Sequence, residues 1–99
     1  MADVLIFEFS APNAHDLYRE TNKALGIDPD SGHGNWPAGM LQHTAGVDGD
    51  KLVVVEVWNS RAEQEKFMNE RLGAALGQTG VPEPARVQWF ESVGAYHTH

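Results

Sequence analysis

Lys51-Leu52-Val53-Val54-Val55-Glu56-Val57-Trp58 is the stretch whose reading decides the fold. Strand side chains alternate, so Val53, Val55 and Val57 face one side of a sheet while Val54, Glu56 and Trp58 face the other. Neither set suits water. In a chain of 99 residues the protein's own helices cover one sheet face, and a second copy is the natural cover for the other. The strand therefore predicts a sheet and a homodimer through its free face. The all-valine side suits close helix packing, which would leave Glu56 and Trp58 at the dimer seam. Two copies of Glu56 meeting there would resist joint ionisation.

Outward from this strand the pattern is β-α-β-β-α-β. Met40 to Val47 precedes it across Asp48-Gly49-Asp50, a hairpin signal because glycine supplies the positive φ of a tight turn. After it, Ser60-Arg61-Ala62-Glu63 matches a capping box and opens a helix whose buried stripe is Phe67, Met68, Leu72, Ala75 and Leu76, with Gly73 and Gly77 placed to bend or end it. Val4 to Phe9 is a first strand, ended by Ser10-Ala11-Pro12-Asn13. Ala14, Leu17, Tyr18, Thr21, Ala24 and Leu25 recur at helical spacing up to Gly26. Ile27 to Ala38 is irregular, rich in Gly, Pro, Asp and Asn, and a natural mouth or lid that carries Trp36. Beyond the turn at Gly80-Val81-Pro82-Glu83-Pro84, Arg86 to Val93 alternates as a last strand, and residues 94–99 form a tail. Right-handed crossovers turn this order into an α+β, ferredoxin-like domain: one four-stranded antiparallel sheet with two helices on one face.

Composition bounds the function. Fourteen acidic against seven basic residues give a formal charge of -7, which disfavours nucleic acid and anionic membrane surfaces as partners. The absence of cysteine excludes disulfides, thiolate nucleophiles and zinc-ribbon or iron–sulfur ligation, and permits a cytoplasmic home. No apolar run is long enough for a membrane span, and Met1-Ala2-Asp3 lacks a secretory signal's basic start. His97 and His99 could hold a transition metal loosely, but no second ligand cluster has suitable spacing, so no metal or cofactor is expected.

Val55-Glu56-Val57-Trp58-Asn59-Ser60 carries a Glu-x-Trp-x-Ser signature at the strand-to-helix junction, and Phe67 stands where the helix stripe begins. On these residues the chain resembles the dimeric α/β-barrel superfamily, in particular its antibiotic-biosynthesis monooxygenase-like domains. It is more closely similar to uncharacterised members with Trp36-Pro37-Ala38-Gly39-Met40, His43, Arg71-Leu72-Gly73 and Gly80-Val81-Pro82. The resemblance spans Val4 to Val93 and implies two sheets packed face to face. It does not fix a chemistry, because the fold hosts oxygenases, haem-degrading enzymes and others. Haem degradation is disfavoured: Glu8 stands near the first-strand asparagine of haem-degrading members, Phe67 near their tryptophan, and no histidine falls between Ser60 and Gly80. Members that oxidise polycyclic aromatic molecules use an aromatic, asparagine and histidine pocket without metal or flavin, and that likeness would turn Trp58 toward the helices.

The candidate catalytic residues are His43, Glu8 and Glu56. A carboxylate in an apolar strand needs a partner, water or a cavity, so Glu8, Glu56 and Glu91 are conspicuous, with a structural ion pair as the plain alternative for each. A two-residue hairpin loop would set His43 diagonal to or directly opposite Glu56 on one face, as a general base with its orienting acid; a three-residue loop would separate them. The alternative for His43 is a histidine bonded for structure alone. Trp36, Trp58 and Phe67 are the candidate contacts for a small aromatic ligand, Trp36 as a closing element; together with Trp89 the tryptophans could equally be core or interface. Two functions follow: a cofactor-independent monooxygenase-like enzyme, or a non-catalytic ligand-binding or protein-interaction dimer.

Overall fold

The computed structural model describes residues 2–96. In chain order its elements are β1 (Asp3–Ser10), α1 (Ala14–Leu25), β2 (Ile27–Asp28), β3 (His33–Gly34), β4 (Met40–Asp48), β5 (Lys51–Trp58), α2 (Arg61–Phe67), a π-helical turn (Met68–Leu72), α3 (Gly73–Thr79) and β6 (Arg86–Glu91). The four long strands form one antiparallel sheet in the order β4-β5-β1-β6, the ferredoxin-like arrangement.

Register follows from the hairpin. Asp48 pairs with Lys51, so the loop is the two residues Gly49-Asp50, and His43 lies directly across from Glu56. Gly49 has φ 61°, the conformation that only glycine adopts without strain at the first position of such a loop.

The helices lie on the side of Glu56 and Trp58. Leu52, Val54, Glu56 and Trp58 are buried, whereas Val53, Val55 and Val57 are half-buried on the outer face. Of the two faces the sequence left open, the one carrying Glu56 and Trp58 meets the helices. Leu5, Phe7 and Phe9 share the inner face, and with Trp58 they offer far more apolar area than three valines, so burying that side removes more surface from water. The core has two parts, one around Leu5, Phe7, Phe9, Leu52 and Val54, the other around Leu25, Ile27, Trp58, Phe67 and Ala75.

Four local readings are refined. The second helix is not straight: the Gly73 N–H reaches back to the Met68 carbonyl, and a Cβ at Gly73 would stand 2.9 Å from that oxygen. Gly73 thus permits a π turn in place of ending the helix. On α1, Ala24 is exposed and Asn22 is buried, the reverse of the apolar stripe read from the sequence. The segment from Ile27 contains a small hairpin, β2 with β3, whose turn is held by the Asp28 carboxylate, accepting from the Asp30 N–H at 3.1 Å and the Ser31 hydroxyl at 2.7 Å. The last strand stops at Glu91, opposite Asp3 at the start of β1, because no strand continues beside Ser92 and Val93. His97 and His99 lie outside the described residues.

Candidate functional site

Three elements converge on His43. β4 presents it on the inner face, directly across from Glu56 of β5, and α1 brings Tyr18 over it. The register shift between Met40 and Gln42 lies one turn of the strand earlier and leaves Leu41 exposed. A bulge of this kind re-aims side chains near a site.

The polar groups form a continuous chain. The Trp58 indole N–H donates to Glu56 Oε1 at 3.1 Å, His43 Nδ1 lies 3.0 Å from Glu56 Oε2, and the Tyr18 hydroxyl lies 2.6 Å from His43 Nε2. A carboxylate only accepts, so Nδ1 carries the imidazole proton and Nε2 is left to accept from Tyr18. Glu56 is 4% exposed, and both its oxygens are engaged, which satisfies a charge that would otherwise be costly to bury. Tyr18 has its pKa raised above the usual tyrosine value, first by burial and further by the negative charges of Glu56 and Asp30, against the pull of the Asn22 amide. Its hydroxyl therefore keeps its proton at neutral pH. Aromatic rings brace the imidazole: Tyr18 lies nearly parallel to it, and Trp36 is tilted against it with 5.3 Å between centroids.

This cluster separates two spaces. Between sheet and helices lies an apolar cavity of about 100 Å³, walled by Phe7, Phe9, Val54, Phe67 and Leu72 among others. Outside it, an open hollow of about 570 Å³ runs past His15, Pro29, Asp30 and Gln42. Tyr18, Trp36, Met40 and His43 line both spaces. They form the partition.

The segment bearing Trp36 is clasped from behind. Arg71, in the π turn, donates to the carbonyls of Leu25 at 3.0 Å and Asn35 at 2.7 Å, joining the two roots of the β2–β3 excursion, while its guanidinium lies over the Phe67 ring. The Trp36 indole N–H donates to the Gly32 carbonyl. The Trp36 segment is thus tied down at both of its roots.

Of the residues singled out in the sequence, His43, Glu56, Trp36 and Phe67 meet here. Trp58 does not touch the cavity; it is fully buried behind Glu56, packed on Phe67, and acts through its N–H. Glu8 is not part of the cluster. It lies on the outer sheet face, 3.2 Å from Lys51 Nζ and 3.7 Å from Arg86, because its position on β1 alternates with those of Phe7 and Phe9. Glu91 is exposed at the end of β6, and Trp89 is a half-buried core residue with the Arg61 guanidinium 5.0 Å above its ring. Tyr18 and Asn22 escaped the sequence reading; the only signal was a polar tip at two positions four residues apart on one helix face. Among the described residues no group of three or more His, Asp or Glu side chains is arranged to hold a metal.

The fold resembles that of known structures. The chain aligns with Rv0793 from Mycobacterium tuberculosis at TM-score 0.68 and 19% identity, covering 98% of this chain and 100% of that one. SnoaB, a cofactor-independent oxygenase from Streptomyces nogalater, aligns at TM-score 0.66 and 11% identity over 95% of each chain. This chain has the antibiotic biosynthesis monooxygenase fold. A further structure titled antibiotic biosynthesis monooxygenase aligns at TM-score 0.60 and 21% identity, covering 95% of this chain and all of that one. No family model and no curated protein matches the sequence. At these identities the likeness concerns the fold. No helix is long and apolar enough to cross a membrane.

Proposed function

We propose that the protein is a cytoplasmic, homodimeric enzyme that oxidises an aromatic or polyketide-like small molecule with molecular oxygen and without a cofactor. The observation that supports this most is the Tyr18–His43–Glu56 chain set in the wall of an apolar cavity. Triplet oxygen reacts slowly with closed-shell molecules but takes an electron readily from an electron-rich carbanion. The enzyme's task is then to remove a proton. The Tyr18 oxygen accepts it from the ligand as its own proton passes to His43 Nε2, and Glu56 offsets the imidazolium charge. Because Tyr18 holds its proton in the resting state, it works as a relay and His43 as the base. The carbanion gives an electron to oxygen, the radical pair combines as a peroxide, and loss of water leaves a carbonyl. One CH₂ and one O₂ become one C=O and one H₂O.

Volume constrains the ligand. A dry cavity of about 150 Å³ takes up benzene, so the 100 Å³ interior holds less than one ring. A polycyclic ligand must reach across the partition into the outer hollow, displacing Trp36 or Met40. That same small volume favours the second reading, a non-catalytic module that binds a small ligand. The homodimer is supported by the outer sheet face, where Ile6, Val53, Val55 and Val57 remain half-buried and Phe90 is exposed.

Oxygen uptake on anthrone, whose CH₂ is acidified by its ketone, separates the two functions. The enzyme reading expects equimolar oxygen consumption and anthraquinone formation above the buffer rate, slowed about 10²- to 10⁴-fold by His43→Gln. No rate above buffer across anthrones, naphthols and hydroxylated tetralones would leave only the binding module.

A further inference from the structure

Arg71 makes no salt bridge among the described residues, although the chain carries twice as many acids as bases. Its charge is directed at backbone instead. One nitrogen, Nη2, donates both to the Leu25 carbonyl at the end of α1 and to the Asn35 carbonyl next to Trp36, and the guanidinium lies 5.2 Å from the centre of the Phe67 ring, which walls the cavity. A charged donor makes a stronger hydrogen bond than a neutral one. Among the described residues this is also the only side-chain hydrogen bond onto the backbone of residues 35–39, where a backbone bond from the Asn35 N–H to the Gly26 carbonyl completes the root. The far end is held by packing: Gly39 lies so close to the Glu63 side chain that a Cβ would clash, and its carbonyl accepts from the Asn59 N–H at 2.8 Å. Between these ties Trp36 leans on His43 with its own N–H on the Gly32 carbonyl. Met40, the other wall residue that could move, is unbranched and adaptable. Trp36 is therefore the stiff part of the partition.

We propose that Arg71 sets the upper size limit of the ligand site: while its guanidinium holds the Asn35 carbonyl, Trp36 keeps the partition closed to fused-ring molecules, and loosening that bond admits them. The proposal rests on the reading of the cavity as a ligand site and adds the residue that decides which sizes enter. The interior of about 100 Å³ is too small for two fused rings, so a ligand of that size binds only the population in which Trp36 has moved aside. Its apparent affinity falls in proportion to the rarity of that population. Arg71 itself lines neither the cavity nor the outer hollow. It is a positioning residue that acts through Trp36.

Naphthalene is the probe, because two fused rings exceed the closed interior. Its dissociation constant is measured by NMR titration on the wild-type protein, Arg71→Met, Trp36→Ala and the double variant. Methionine keeps an apolar stem over Phe67 and removes the charge and the donors. Arg71→Met should bind naphthalene about tenfold more tightly than the wild type, equal to about 1.4 kcal/mol. Once Trp36 is alanine the same substitution should add less than about twofold, because the two changes then remove one and the same obstacle. A general loosening of the fold would instead give equal gains in both backgrounds. That result overturns the proposal, as does an unchanged constant in Arg71→Met or naphthalene binding by none of the proteins. If Arg71→Met does not fold, Arg71→Lys takes its place: it keeps the charge and loses the flat guanidinium, so a gain of about threefold that again requires Trp36 is expected, and no gain overturns the proposal. Anthrone oxidation is scored separately. A Trp36-dependent gain without turnover would keep the role of Arg71 and discard the oxidation, and turnover without the gain would do the reverse.

Discussion

Glu56 and Glu8 lie on adjacent strands of one sheet and have opposite fates. Glu56 faces the helices at 4% exposure, held by a neutral indole N–H and an imidazole; Glu8 faces outward between two half-exposed cations, Lys51 and Arg86. Strand alternation alone sends them apart. The comparison teaches that the face an acid occupies in an apolar strand decides whether it meets a cavity and buried hydrogen-bond partners or half-exposed cations. On the outer face the same residue type is a surface ion pair.

Removing Glu56 should have the largest consequence. Glu56→Ala strands two buried donors, Trp58 Nε1 and His43 Nδ1, and should cost about 3–5 kcal/mol in urea unfolding. A cost below about 1 kcal/mol would mean that the two acids are equivalent after all. Next comes the outer face itself. Val55→Asp places a charge between Ile6 and Thr44 in the middle of that face, and sedimentation should show the proposed dimer weakened at least a hundredfold, equal to about 2.7 kcal/mol. An unchanged dimer would place the interface elsewhere.

A smaller effect is expected in alkali. Tyr18 has a raised pKa, so the stability that goes with its protonated form is fully present below the ordinary tyrosine value near 10 and is lost as pH rises through the higher folded value. Tyr18→Phe should flatten that decline in a pH series of unfolding midpoints, while the midpoints of a Glu8 variant should follow the wild type. Glu8→Gln should be the mildest change, below about 1 kcal/mol and vanishing in high salt, since its partners are half-exposed.

Much of this architecture was legible in the sequence for physical reasons. Gly49 marked a tight turn between β4 and β5; a two-residue loop there would bring His43 to Glu56 and a three-residue loop would separate them, and the pairing of Asp48 with Lys51 selects the first. Ser60 marked the start of α2, where its hydroxyl accepts from the Glu63 N–H. The π turn was not legible, because Phe67, Met68, Leu72, Ala75 and Leu76 suit a straight helix equally well; only the close approach of Gly73 to the Met68 carbonyl distinguishes them. The face of β5 was undecided because valines and the Leu52–Trp58 set are both apolar, and the choice depends on Leu5, Phe7 and Phe9 on another strand. Tyr18 was taken as one more apolar stripe residue. Its hydroxyl matters only because β4 brings His43 beneath it, a long-range contact that no local pattern records.

To act as the base His43 must accept a proton at Nε2, and nitrogen-15 NMR of the imidazole reads whether that nitrogen is free. At pH 8 the signals should show hydrogen on Nδ1, toward Glu56, and a bare Nε2 toward Tyr18. Hydrogen on Nε2 with a bare Nδ1 would reverse the chain of hydrogen bonds and contradict the relay.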